Sequence, residues 1–248
     1  MIIFPMAGLS SRFSKAGYLK PKYMLEAHGK TIFEWAVSSF QYYFKTETFL
    51  FIAMDTDEVK DFIENKTTEL GIVNYKIALL NAPTKGQAET VYQGLTQLSN
   101  VSLEKEHLFI FNIDTILLNY KFPDFLNEAL GYLDVFIGEG ENWSYAKPKK
   151  NSKHIVEKTA EKNQISNLCS NGLYYFKSFE IYENAFLEMT RNNLTSKGEF
   201  YIAPMYNLLT KTNKIFYNIT SSDFIVFCGI PEEYDAFKKS SIPLLHSL

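Results

Sequence analysis

Along the chain, short apolar runs alternate with polar stretches whose apolar residues recur at helical spacing. MIIF, closed by Pro5, reads as a short buried strand. In TIFEWAVSSFQYYF, Phe33, Val37, Phe40 and Phe44 repeat on one helix face, and TFLFIAM follows as a continuous apolar run of strand length. DEVKDFIENKTTELG has an acidic first turn and closes on Gly71, the polarity of a helix, and VNYKIALL predicts the next strand. GQAETVYQGLTQL predicts a helix starting near Gly86, HLFIFNID a strand ending in Asp114, and LDVFIGEG a further strand. Such alternation implies an α/β fold with a largely parallel sheet covered on both faces.

From Trp143 the rhythm changes. SYAK, KHIVEK and QISNLCSNGLYYF are short, with Lys clusters and an Asn-Gly pair between them, and they predict hairpins added to the main sheet. Helices are expected near 179–189 and 200–209. KIFYNIT and FIVFCGI read as closing strands, and PEEYDAFKK as a last helix with Pro231 in its first turn. There are no internal repeats or low-complexity tracts, and 248 residues suit one elaborated domain.

Composition narrows the partners. With 46% hydrophobic residues and a net charge of −3, the chain is globular and has no strong field for capturing polyanions, so nucleic acid is not an expected partner. Cys169 and Cys228 stand far apart with no CxxC and no His at ligand spacing, which suggests neither a disulfide framework nor a zinc site. No secretory pattern and no run of ~20 apolar residues is present. A cytoplasmic protein without a membrane partner is expected; oligomeric state is not legible.

In an open α/β sheet, ligands collect beyond the carboxyl ends of the strands, which directs attention to residues 6–22, residues 81–90 and Asp114. Gly8 with the Ser10-Ser11 pair can present backbone N–H groups to an anion, Arg12 offers a planar fork for phosphate oxygens, and Lys22 a compact second charge. An ordinary Gly/Ser turn with two solvated cations has the same composition. Neither GxxxxGK[ST] nor GxGxxG occurs. Thr84 and Gly86 would serve as helix caps whether or not that loop meets a ligand. The four His residues share no spacing with carboxylates, and none is assigned a role.

The stretch PMAGLSSRFSKAGYLKPKYMLEAHGK resembles the signature of the nucleoside-diphosphate-sugar pyrophosphorylase-like nucleotidyltransferases, and most of all the PMAGxxSRF branch found among capsule and surface-polysaccharide genes. TKGQAETV, the strand ending in Asp114, VEKTAEK, SNGLYYFKS, KGEFYIAPMYNLL and GIPEEY sit where that family carries related motifs. The resemblance implies a three-layer Rossmann-like (GT-A-type) nucleotidyltransferase fold, with a mixed, mainly parallel central sheet and a small β-hairpin insertion. It implies a single domain over 1–248, nucleotide-binding in 1–140 and acceptor-binding and closing in 141–248.

By the same resemblance, Ala7, Gly8, Ser10 and Ser11 hold the triphosphate, Arg12 faces the β- and γ-phosphates and Lys22 the α-phosphate. These last two are the expected catalytic residues, since fixed cations offset the charge that gathers when a phosphate attacks the α-phosphorus. Asn81, Gly86 and Gln87 would border the base. Asp114 matches the principal Mg2+ ligand, and Mg2+ is the implied cofactor. Glu161 and Lys162 match an acceptor-binding pair, Asn171 and Gly172 the neighbouring turn, and Glu199 the start of the KGE segment.

Two positions depart from the family pattern. Ser10 stands where many relatives have glycine, and Phe227 stands where the second metal Asp usually lies, two residues before Gly229. Asp223 could replace that Asp only if the strand register differs. The implied function is a nucleotidyltransferase, a cytidylyltransferase by branch. It would join an NTP to a small phosphorylated acceptor, whether sugar phosphate, polyol phosphate or phosphoglutamine, and release pyrophosphate for capsule or surface polysaccharide synthesis. The alternatives are a GT-A-type glycosyltransferase using an NDP-sugar, whose DxD motif is here Asn112-Ile113-Asp114, and a non-catalytic nucleotide-binding protein.

Overall fold

The computed structural model describes residues 1–98 and 103–241. The strands are β1 (Ile2–Pro5), β2 (Glu26–Ala27), β3 (Lys30–Thr31), β4 (Thr48–Met54), β5 (Asn74–Leu80), β6 (Leu108–Phe111) and β7 (Thr115–Leu117). They continue as β8 (Gly131–Ile137), β9 (Ser144–Pro148), β10 (Val156–Glu161), β11 (Leu168–Phe176), β12 (Ile215–Ile219) and β13 (Ile225–Phe227). The helices are α1 (Ser11–Lys15), α2 (Ile32–Ser38), α3 (Val59–Leu70), α4 (Gln87–Thr96), α5 (Phe179–Arg191), α6 (Ile202–Met205) and α7 (Pro231–Lys239).

This is a three-layer α/β fold around a mixed sheet. β1 with β6, β4 with β5 and β8 with β12 run parallel, and β11 runs antiparallel to β6, β8 and β9. The chain forms two compact units that interleave in sequence. One comprises 1–3, 84–111 and 122–221; the other comprises 4–83, 112–121 and 222–248.

In the first unit β11 is the organising strand, buried at all of its positions. The Asn171-Gly172 pair does not turn a hairpin, as the sequence suggested. It lies inside β11 as an irregularity, where the register to β8 shifts between Ser170 and Tyr174 and Gly172 takes φ 92°. Glycine supplies that left-handed backbone without a Cβ clash, so the pair bends a strand instead of ending it. The expected hairpin is present as β9 and β10, paired antiparallel from Val156–Pro148 to Glu161–Ser144.

In the second unit α2 is shorter than its periodicity predicts. Thr31 accepts from the Glu34 N–H at 3.2 Å and Glu34 accepts from the Thr31 N–H at 2.7 Å, a reciprocal cap worth ~1 kcal/mol. The helix stops at Ser38, because Ser39 turns its hydroxyl to the Leu117 N–H at 2.9 Å and Phe40 leaves the helical region with φ −109°. Phe40 is still buried, so the apolar period outlasts the helix. The segment expected as a helix over 200–209 is likewise broken, into the single turn α6 followed by a 3-10 turn.

An apolar cluster holds the loop between β1 and β2 in place. Phe13, Ala27, Ile32, Trp35, Ile116, Leu118, Cys228, Tyr234 and Phe237 pack together, with Tyr18, Leu25 and Val226 against them. Phe13 and Tyr18 come from the loop and meet Tyr234 of α7 edge-on, with ring centroids 6.1 and 5.7 Å away. No helix among the described residues is long and apolar enough to cross a membrane.

Candidate active site

The first loop is anchored by its apolar residues and leaves its polar ones outward. Phe13 is buried, whereas Gly8, Ser11 and Arg12 are exposed and Ser10 is half-buried. Ser10 adopts a left-handed backbone, φ 50° and ψ 33°. That conformation costs a non-glycine residue roughly 1–2 kcal/mol, a cost glycine would not carry. The Ser10 hydroxyl accepts from the Lys22 N–H at 3.4 Å, tying the loop to the Pro-Lys segment. The Lys22 ammonium then donates to Oδ2 of Asp114. Ser10, Lys22 and Asp114 therefore form a connected set within one unit.

Asp114 lies between β6 and β7, and its carbonyl accepts from the Cys228 N–H at 2.8 Å at the end of β13. The β13–β7 register pairs Ile225 with Leu117, Val226 with Ile116 and Phe227 with Thr115. Asp223 precedes β13 in an exposed 3-10 turn, so this register carries it away from Asp114 and does not bring the two together. The carboxylate that does approach is Glu233, in the first turn of α7. Its Oε2 accepts from the Gly229 N–H at 2.8 Å and the Ile230 N–H at 3.3 Å. Burial raises the Glu233 carboxyl above its ordinary value, the two N–H groups pull it back, Asp114 raises it and Lys22 lowers it. In the sequence, Glu233 reads only as an acid in a helix's first turn.

The donor chemistry around Gly229 fits magnesium. A Cβ at Gly229 would lie 3.3 Å from Asp114 Oδ2 and 3.5 Å from Glu233 Oε2, so this glycine leaves space that both carboxylates border. Magnesium takes one or two carboxylates with substrate phosphates instead of an all-protein cage. Among the described residues no group of three or more His, Cys, Asp or Glu is placed to hold a metal ion.

In the other unit, Gly86 opens α4 with φ 121°, and a Cβ there would stand 2.6 Å from the Phe200 carbonyl oxygen. Phe200 donates its N–H to Lys85 at 2.7 Å and accepts from the Ala88 N–H at 3.0 Å. The loop carrying Gly86 and Gln87 is thus clamped backbone to backbone onto the KGEFY segment carrying Glu199. Asn81 is exposed and belongs to the other unit.

Glu161 ends β10 and Lys162 follows it, both half-buried. Glu161 accepts from the Ser144 hydroxyl, and Ser144 lies 3.3 Å from the Tyr174 phenol. Burial raises the Glu161 carboxyl, Ser144 and Lys162 lower it, and Glu199 raises it. Lys162, with φ 53°, donates to the Tyr201 phenol and sits 4.4 Å from that ring's centroid. Nothing in the sequence pattern marks Ser144 or Tyr174, and Tyr201 is marked only by its closeness to Glu199. Asn171 points inward: its amide donates to buried Asp134 at 2.5 Å and its carbonyl accepts from the Leu173 N–H at 3.2 Å. Asn218 and Thr220 also donate to Asp134, each at 2.6 Å.

The chain is 47% identical to the structurally determined nucleoside-diphosphate-sugar pyrophosphorylase from Vibrio cholerae RC9, over 97% of this chain and 100% of that one, with a TM-score of 0.93. It belongs to the nucleoside-diphosphate-sugar pyrophosphorylase family. More distant structures share the fold of the family. A UDP-glucose pyrophosphorylase complexed with UDP-glucose is 13% identical, covering 96% of both chains at a TM-score of 0.72. The inositol-1-phosphate CTP transferase from T. maritima is 15% identical, covering 96% of this chain and 92% of that one at 0.67. No protein-family model and no curated protein matches the sequence.

Proposed function

We propose that this member of the family is a nucleotidyltransferase that joins an NTP to a phosphorylated metabolite. An oxygen of the acceptor phosphate attacks the α-phosphorus; the bond from that phosphorus to the bridging oxygen of the β-phosphate breaks, and pyrophosphate leaves. The observation that carries this reading is the connected set of Ser10, Lys22 and Asp114. In it Ser10 of the Gly-Ser-Arg loop is bonded to the Lys22 backbone, and the Lys22 ammonium is bonded to the Asp114 carboxylate. Preorganised cations are the principal means of lowering such a barrier, because charge builds on both reacting groups and no covalent nucleophile is required.

In this reading Lys22 faces the α-phosphate, Arg12 holds the departing pyrophosphate, and Ala7, Gly8, Ser10 and Ser11 line the phosphate path. Asn81, Gly86 and Gln87 border the base. Asp114 would hold a magnesium ion, which offsets phosphate charge when bound. Glu161 and Lys162 bind the acceptor, with Lys162 for its phosphate and Glu161 for a hydroxyl or amide donor. Tyr201 keeps Lys162 in place and Ser144 orients Glu161. Asn171 and Gly172 shape the adjoining bulge through Asp134.

We favour CTP and a role in capsule or surface polysaccharide synthesis, on the resemblance of PMAGLSSRF to the branch with that motif. The acceptor is a sugar phosphate, a polyol phosphate or phosphoglutamine. Pyrophosphate release from each of the four NTPs with a panel of those acceptors tests the proposal. Release that requires both CTP and one acceptor is expected. NDP-sugar hydrolysis without pyrophosphate would make the protein a glycosyltransferase instead, and nucleotide binding without turnover would make it a sensor.

A further inference from the structure

We propose that Glu233 is the second acidic residue of the cation site, standing in for the carboxylate that Phe227 cannot supply. The inference rests on the reading of Asp114 as the principal cation ligand and asks what completes it. Lys22 already pairs with Asp114, so these two charges cancel and the pair alone offers a divalent cation little net attraction. A second anionic oxygen is needed alongside.

The edge of β13 does not provide one. Phe227 is apolar and registers with Thr115, while Cys228 is a soft thiol ill suited to a hard cation and sits buried in the apolar cluster. Asp223 is carried away by the same register. Glu233 reaches the place from the following helix. Its Oε2 is fixed by the Gly229 and Ile230 N–H groups at 2.8 and 3.3 Å. One missing methyl group, the Cβ of Gly229, would lie 3.5 Å from that same oxygen and 3.3 Å from Asp114 Oδ2. A methyl group at this position would thus touch both carboxylates, and the second one comes from the helix that follows β13, not from the strand itself.

The experiment uses the full chain and Mn2+ as the probe, titrated alone and followed by loss of the free-ion electron paramagnetic resonance signal. Glu233→Gln keeps an acceptor for the two N–H groups but removes the charge; it is expected to weaken Mn2+ binding ~10-fold with an unchanged melting temperature. Gly229→Ala, which places a methyl group against both carboxylates, is expected to do the same without touching Glu233. Asp114→Asn should abolish binding, and Asp223→Asn should leave it at the wild-type level. Wild-type affinity in Glu233→Gln and Gly229→Ala would overturn the proposal, as would loss of binding in Asp223→Asn or no binding by the wild type. Weakened binding in the two variants of a protein that releases no pyrophosphate would uphold this site and remove only the reaction assigned to it.

Discussion

The Lys22 ammonium is bonded to the Asp114 carboxylate, and the Lys22 backbone N–H is bonded to Ser10 on the loop before it. Lys22 is thereby aimed before any substrate arrives, whereas Arg12 is exposed on α1. Both should act mainly on the transition state, where phosphate charge is greatest. Arg12→Ala and Lys22→Ala are each expected to lower kcat about 10²- to 10³-fold, with a smaller change in the KM for the NTP. Steady-state kinetics on the pair, with melting temperatures as the control, checks this. Near-normal kcat in both would remove the phosphate-loop assignment.

Gly86 is held where no side chain fits. Its φ of 121° and the Phe200 backbone atoms at 2.6 and 2.8 Å from a Cβ position both oppose substitution. Since the contacts are backbone, Gly86→Ala must move the KGEFY segment, at a cost of about 2–3 kcal/mol. A fall in melting temperature of roughly 4–12 °C is expected, since each kcal/mol shifts a domain of this size by about 2–4 °C. Because the displaced segment carries Glu199 and Tyr201, the KM for the acceptor should rise as well. A variant as stable as the wild type would show that the clamp is absent in solution.

Asp134 is buried, and although Asn171, Asn218 and Thr220 all donate to it, burial pushes its carboxyl up to about 6. A carboxyl raised on folding stabilises the native state most when protonated in both states. Its contribution is full below pH ~4 and is lost as pH rises towards 6, and it can reach roughly 3 kcal/mol. The stability of the wild type relative to Asp134→Asn should therefore fall from pH 4 to pH 6 and level off above pH 7. Urea denaturation across that range measures it. A difference that does not change with pH would mean that Asp134 titrates alike folded and unfolded.

What the sequence disclosed and what it concealed divide along the range of the interactions. β4, β6 and β8 were legible as apolar runs because a strand buried on both faces carries no other pattern, and α7 was legible from Pro231. The end of α2 was not, because Phe40 keeps the helical period while Ser39 is claimed by Leu117, a partner distant in sequence. Asn171-Gly172 misled for a related reason: the pair has turn chemistry, but its neighbours Leu168 and Phe176 extend it into a buried strand that tolerates a bulge. Among the candidate residues, Arg12, Lys22 and Asp114 stood out by residue type and place in the sequence. Glu233 did not, since only the tertiary position of Gly229 reveals that a first-turn acid on α7 borders Asp114.

In the proposed reaction the acceptor's own phosphate attacks the α-phosphorus of the nucleotide. Phosphorus NMR of a reaction with CTP and an acceptor whose phosphate oxygens carry 18O tests it most directly. The expected result is 18O in the bridge between the two phosphorus atoms of the product and unlabelled pyrophosphate. Label retained wholly on free acceptor, or a product whose bridge oxygen comes from CTP, would contradict it.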